Sequence, residues 1–323
     1  MLRTFFRSAL WVVMMMLPLA GSALDYPSKP VTMIVAFPPG GPTDLNARLF
    51  ARSLSDDLGK PVVVQNKPGA GGSIGARAAA AAEADGHTIF YNTTAVITSQ
   101  ALQADPDMDP AKVFVPVALT VAVPLVLVAT PSMPVKNVRD LIQYASAHAG
   151  KLNYSSAGTG TITHLAPALF ALQSGIRAQH VPYKGSAPAL AALSSGEIQF
   201  AMETLNTLLP FLSSGRIRAL AFAGAKRHPA IPEVPTLTEA LGSANFEISA
   251  WQGIVVPART PNRIVARLNA AINKAINDPI LHKRLMDTGS EPLGGSTQQY
   301  AAFMVAEHKR WTRVVRESGI TAE

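Results

Sequence analysis

The chain has 323 residues, 48% of them hydrophobic and 15% charged, with no cysteine and a formal net charge of +7. So much apolar content excludes a disordered chain, and the length accommodates about two domains. The missing cysteine excludes disulfide frameworks, thiolate metal sites and cysteine nucleophiles together.

At the N-terminus, Arg3 and Arg7 precede an uncharged apolar run over residues 9–19, and Gly21, Ser22 and Ala23 follow it. This is the pattern of a secretory signal peptide, residues 1–23, cleaved near Ala23. The run is too short for a membrane span, which needs about 20 residues. Its removal takes away two arginines and no acid and lowers the net charge to +5. The expected product is an exported protein, periplasmic in a Gram-negative host.

Beyond residue 23, β-branched runs alternate with alanine-rich helical stretches, the signature of βαβ units around parallel sheets. Strands are predicted at 31–37, 62–65, 88–91, 152–155, 178–181, 197–202, 219–223 and 248–256. After the first, Ala47, Phe50, Leu54 and Leu58 recur at helical spacing, Leu45 and Leu49 widen the stripe, and Gly59 stands where a C-terminal cap belongs. Residues 113–135 carry no charge, but Pro116, Pro124, Pro131 and Pro134 oppose a membrane helix; buried strands at 117–123 and 125–130 are predicted instead.

Two predicted strands run into glycine-rich turns that open helices. The first turn reads Pro38-Pro39-Gly40-Gly41-Pro42-Thr43-Asp44, the second Ser156-Ala157-Gly158-Thr159-Gly160-Thr161-Ile162-Thr163-His164. Glycines let backbone N–H groups approach a ligand, and a helix start adds unpaired donors and partial positive charge, together a site for a carboxylate or phosphate. Gly41 suits the N-cap, Pro42 the first helical position and Asp44 the third. Arg48 follows Asp44 by four residues, which favours a local ion pair over ligand contact. His164 either donates to an anion or bonds its own turn.

Other motifs fail on context. Gly71-Gly72-Ser73-Ile74-Gly75 fits G-x-S-x-G, but a nucleophile elbow needs its strand to end just before the serine; a secreted hydrolase using Ser73 is the alternative function. Asp105, Asp107 and Asp109 begin like a calcium loop, yet Pro110 replaces the required glycine and Pro116 the closing glutamate. No two histidines have the i, i+4 spacing of a helical zinc site, and neither glycine cluster completes a nucleotide-binding motif. His308, Lys309, Arg310, Arg313 and Arg316 surround Trp311 but are diluted by Glu307 and Glu317, so they read as the solvated face of a helix and not as a nucleic-acid site.

Six segments in register carry a family resemblance: Tyr26-Pro27-Ser28-Lys29-Pro30; Phe37-Pro38-Pro39-Gly40-Gly41-Pro42-Thr43-Asp44; Asn66-Lys67-Pro68-Gly69-Ala70-Gly71-Gly72-Ser73-Ile74-Gly75; Asp85-Gly86-His87-Thr88; Val181-Pro182-Tyr183-Lys184-Gly185; and Pro232-Glu233-Val234-Pro235-Thr236. Together they resemble the Bug family, the substrate-binding receptors of tripartite tricarboxylate transporters. The resemblance implies a type II periplasmic-binding-protein fold, with two α/β domains joined by two crossover strands. Domain 1 would comprise residues 24–125 and 250–323, domain 2 residues 126–249. It further implies a monomeric receptor that closes over a small carboxylate, needs no cofactor, is not an enzyme, and is read by membrane transporter subunits or a sensor protein.

Carried over by position, the ligand-binding set is Phe37, Pro39, Gly40, Gly41 and Asp44 from the first turn, with Ser155, Ser156, Gly158, Thr159, Gly160 and His164 from the second. Thr93, Thr94, Tyr183 and Lys184 are lesser candidates. The sequence departs from many relatives at Gln199, where they carry an acid; Glu203, four residues on, either faces the cleft and takes a ligand's ammonium or faces solvent.

Overall fold

The computed structural model describes residues 26–103, 105–242 and 248–320. The signal peptide expected at 1–23 lies outside the described residues.

In chain order the first elements are β1 (Val31–Val35), α1 (Pro42–Leu58), β2 (Val62–Asn66), α2 (Ser73–Ala80), β3 (Thr88–Thr93), α3 (Thr94–Gln103) and α4 (Pro110–Val113). A long strand, β4 (Phe114–Ala129), leads to α5 (Val138–Ala147), β5 (Leu152–Ser156), α6 (Ile162–Ser174), β6 (Ala178–Pro182), α7 (Ser186–Ser195), β7 (Phe200–Thr204), α8 (Leu205–Ser213), β8 (Arg218–Phe222) and α9 (Leu237–Leu241). The chain closes with β9 (Ser249–Pro257), α10 (Asn262–Ile276), α11 (Pro279–Asp287), β10 (Glu291–Gly294) and α12 (Thr297–Ser318).

The strands make two sheets that share β4. The first runs β2-β1-β3-β9-β4-β10 and the second β6-β5-β7-β4-β8. The two strands expected at 117–123 and 125–130 are thus one continuous strand. Its prolines lie where the ladder needs no donor from them: Pro116 borders a register shift, and Pro124 is the last partner of β9 before Leu125 begins pairing with β7. The uncharged run is therefore the crossover between sheets, and among the described residues no helix is long and apolar enough to cross a membrane. The return passes through Ile248, whose N–H donates to Ala223 O beside β8, into β9 of the first sheet.

Helix α1 forms on the predicted stripe: Ala47, Phe50, Leu54 and Leu58 are buried against β1 and β3 and Gly59 caps the helix at φ 68, but Leu49 is only half-buried and Leu45, on the side away from the sheet, is exposed. Full burial of a side chain such as Phe50 contributes roughly 1.5–3 kcal/mol. Helix α12 opens on a capping box between Ser296 and Gln299 and buries Tyr300, Met304, Glu307, Trp311 and Val314 at three- and four-residue intervals, leaving Lys309, Arg313 and Arg316 in solvent. That stripe packs with residues of both sheets, so the C-terminal helix braces the crossover region. Strand β10 escapes prediction because Glu-Pro-Leu-Gly has no alternation and, among the described residues, pairs only with β4.

Candidate functional site

Strands β1, β3, β5 and β7 all end at the junction of the two sheets, so their following turns face one another across it. In the first turn Gly40 adopts φ +80, which an L side chain resists. Its N–H donates to Asp44 Oδ2 (2.9 Å), which also accepts from Arg48 Nε (2.8 Å), while Asn66 Nδ2 donates to Asp44 Oδ1 (2.8 Å) and to Phe37 O (2.9 Å). Burial of Asp44 raises its pKa, but the bonds from Arg48, Gly40 and Asn66 outweigh that and hold it below the usual carboxylate range. Asp44 therefore braces the turn, as the ion-pair reading expects. Among the described residues the N–H groups of Gly41, Thr43 and Asp44 meet no acceptor. Phe37 is half-buried, whereas Pro39 and Gly40 are exposed at the rim.

The second turn is tied more tightly. Ala157 N–H donates to Thr163 Oγ1 (2.9 Å), Gly158 N–H to Ser156 Oγ (3.1 Å), Gly160 N–H to His164 Nδ1 (3.2 Å) and Thr161 N–H to Gly158 O (3.2 Å). What remains without an acceptor among the described residues is the N–H of Thr159 and those of Ile162 and Thr163 at the start of α6. Ser155 and Ser156 are buried at the end of β5. Because His164 Nδ1 accepts, the neutral ring carries its proton on Nε2, so His164 bonds its own turn and keeps one donor.

The two turns approach through small residues. Thr159 O lies near Gly71 in the turn Ala70–Gly72, Ser99 Oγ donates to Gly71 O (3.3 Å), and a Cβ on Gly160 would stand 3.2 Å from Ser99 Oγ and 3.3 Å from Leu102 Cδ2. No sequence motif marks Ser99.

After β3 the two threonines divide. Thr94 Oγ1 accepts the Trp251 N–H (2.7 Å) and donates to Trp251 O (3.3 Å), so it stitches α3 to β9. Thr93, 6% exposed, holds its hydroxyl sealed from solvent and without a partner. Its register partner Gln252 belongs to a buried network: Gln252 Oε1 accepts from Asn46 Nδ2 (2.9 Å) and the Tyr91 hydroxyl (3.0 Å), and Asn46 also donates to Ser290 Oγ (3.2 Å).

Tyr183 and Gly185 support the second turn from outside. The Tyr183 N–H donates to Ser156 O, Gly185 N–H to Ala157 O, and the Tyr183 hydroxyl to Glu197 Oε1 (3.1 Å), while Lys184 is exposed. Glu203 is buried at the end of β7, where its Oε1 accepts the Thr204 N–H (2.8 Å) and hydroxyl (3.2 Å) and its carboxylate is bonded also by the side chains of Ser186, at the start of α7, and Thr207 in α8. Burial pushes its pKa up despite these bonds. Gln199 stands just before β7, at the end opposite Glu203 and away from the facing turns, accepting the Asn153 N–H (2.9 Å). Ser73 opens α2 well after β2 ends at Asn66, the geometry that excludes a nucleophile elbow.

Beneath the second turn the rings of His164 and His180 stack at 3.6 Å with 6° between planes, against Tyr154. Burial lowers the pKa of His164 to about 4; burial and the neighbouring His164 lower that of His180 to about 3. The unfolded chain, with histidine near 6.5, binds more protons below that value, so stability is level above pH about 6.5 and falls as pH drops toward 4. Thermal melts from pH 7.5 to 4 are expected to show this decline, and the substitution of both histidines by glutamine to lessen it, the remainder coming from groups such as His228, whose pKa burial also lowers; Tyr154 stays neutral throughout this range.

Among the described residues no cluster of His, Asp or Glu is placed to hold a metal ion. A groove of about 840 Å³ lined by Arg52, Asp57, Lys274 and Arg284 lies on the outer surface between α1, α10 and α11, away from the facing turns.

Two α/β domains sharing a crossover strand, with amide-rich turns opposed between them, define a solute-binding protein of the type II periplasmic class. The sequence profile of the tripartite tricarboxylate transporter family receptor, TctC, matches residues 46–320, and the chain belongs to this family. Protein BugT of Bordetella pertussis is 38% identical over 301 residues, spanning 92% of this chain and 92% of that protein. Rpa4515 of R. palustris, solved with adipate, shares 36% identity at a TM-score of 0.85, covering 92% of this chain and 99% of that one. MatC (Rpa3494) of Rhodopseudomonas palustris, solved with bound malate, shares 33% identity at a TM-score of 0.81, covering 90% and 100%.

Proposed function

We propose that the protein is an exported, non-enzymatic receptor that captures one small organic carboxylate between residues 24–125 plus 250–323 and residues 126–249, and hands it to the membrane subunits of a transporter. The observation that carries this reading is the pair of opposed helix starts, α1 and α6, whose N–H groups at Thr43, Asp44, Ile162 and Thr163 have no protein acceptor among the described residues. Such termini bind carboxylates without a cationic side chain. The adipate and malate held by similar chains support the ligand class, and the Arg3, Arg7 and Gly21–Ala23 pattern supports export.

Within the cleft, Phe37, Pro39, Gly40 and Gly41 shape one wall, and Thr159, Gly160 and His164 Nε2–H the other. Thr93 lies behind this surface, and its unpartnered hydroxyl reaches the ligand only when the side chain turns toward the cleft. Asp44, Thr94, Ser156 and Tyr183 act through the backbone they brace. A ligand touching both walls binds the closed form more tightly than the open one and shifts the population toward it, and the transporter reads the closed surface. Isothermal titration with adipate, malate, citrate, glutamate and benzoate tests the reading: one-to-one binding of at least one is expected, and a folded, ligand-free protein that binds none overturns it.

A further inference from the structure

Between Ser156 and Thr161 the second turn contains two glycines, Gly158 at φ 141 and Gly160 at φ 79, conformations open to glycine and costly for other residues. Such a segment left to itself samples many arrangements, and a ligand that must order it loses affinity by that cost. Both glycine amides are instead tied to side chains. Gly160 N–H donates to His164 Nδ1, and Gly158 N–H donates to Ser156 Oγ, which is in turn bonded to His180 Nε2 at 2.7 Å. The two imidazoles at the ends of these bonds lie face to face at 3.6 Å. Tyr154, the register partner of His180 across β5 and β6, packs on both rings and on Phe200, so the stack is clamped from the sheet side.

We infer that His180 is a positioning residue: through Ser156 on one side and the stacked His164 on the other, it fixes the second turn in the one shape that presents the Thr159 N–H and the start of α6 to the ligand. No motif marks His180, because it lies one strand away from the turn and meets it through two tertiary contacts, the bond to Ser156 and the stack on His164. The inference rests on the reading that this turn receives the carboxylate, and it adds a residue outside the cleft to the determinants of affinity.

Two substitutions separate its parts. His180→Phe keeps a ring against His164 and removes the bond to Ser156; His180→Gln keeps a polar end able to bond Ser156 and removes the aromatic face. Titration with adipate and malate is expected to show His180→Phe weakened about tenfold and His180→Gln within about threefold of the parent, with similar melting temperatures for both. Amide hydrogen exchange of the ligand-free proteins, read by NMR, is expected to show Gly158 unprotected in His180→Phe and protected in His180→Gln. Unchanged affinity in His180→Phe, or equal losses in both variants with Gly158 still protected, overturns the inference. If the parent protein binds neither probe, the titrations use whichever of citrate, glutamate or benzoate it does bind; if it binds none of the five, the receptor reading is at fault, and the exchange at Gly158 and Gly160 alone decides whether His180 holds the turn.

Discussion

Gly40→Val is expected to weaken carboxylate binding at least about tenfold, equivalent to about 1.4 kcal/mol, while the protein stays folded. Gly40 has open space around it, so a clash is not the reason. The reason is its φ of +80, where an L-residue costs roughly 1–2 kcal/mol and a β-branched one more. Valine drives the turn to negative φ, and the Gly40 N–H then leaves Asp44 Oδ2. Asp44 loses one of the donors that align it, and the N–H groups of Thr43 and Asp44 at the start of α1 turn away from the ligand. Gly59→Val provides the control. It imposes the same strain at the far end of α1, at φ 68 with open space, and is expected to leave affinity unchanged. Equal affinities in parent and Gly40→Val remove the first turn from the site.

The largest effect on stability is expected at Glu307, whose Oε2 accepts the indole N–H of both Trp251 and Trp311 at 2.9 Å in the interior. Glu307→Leu leaves two buried donors without a partner, each costing about 1–3 kcal/mol. Chemical denaturation is expected to show a loss of about 2–6 kcal/mol. Glu307→Gln retains an amide oxygen for the indoles and is expected to lose less than half as much. A Leu variant as stable as the parent would mean that α12 is held by its apolar stripe alone, with Tyr300, Met304 and Val314 sufficient.

What the sequence makes legible is local chemistry. The stripe of Ala47, Phe50, Leu54 and Leu58 and the cap at Gly59 define α1 because the helical period and the left-handed cap are written in consecutive residues. The two glycine-rich turns are legible for the same reason, as is the Asp44–Arg48 pair. Strand β4 is half legible: its β-branched segments are visible, but its continuity through Pro124 depends on β9 ending and β7 beginning there, which only the sheets determine.

The buried polar groups are the least legible. Asn46 and Gln252 are 206 residues apart and meet through α1 and β9, and Ser99 meets Gly71 through the packing of α3. His180 contacts the second turn through a neighbouring strand. Glu203 has a sequence position that allows a cleft or a solvent role, yet it turns inward between the starts of α7 and α8, where Ser186 bonds it across elements in addition to its neighbour Thr204. None of these arrangements has a period or spacing, since each is made by tertiary contact.

The central claim is that a carboxylate is held between the starts of α1 and α6. A crystal structure grown with whichever tested carboxylate binds most tightly examines it most directly. The account predicts carboxylate oxygens at hydrogen-bonding distance, about 3 Å, from N–H groups of Thr43 or Asp44 on one side and Thr159, Ile162 or Thr163 on the other, directly or through one water. A ligand seated instead in the outer groove between α1, α10 and α11, with both turns empty, would contradict it.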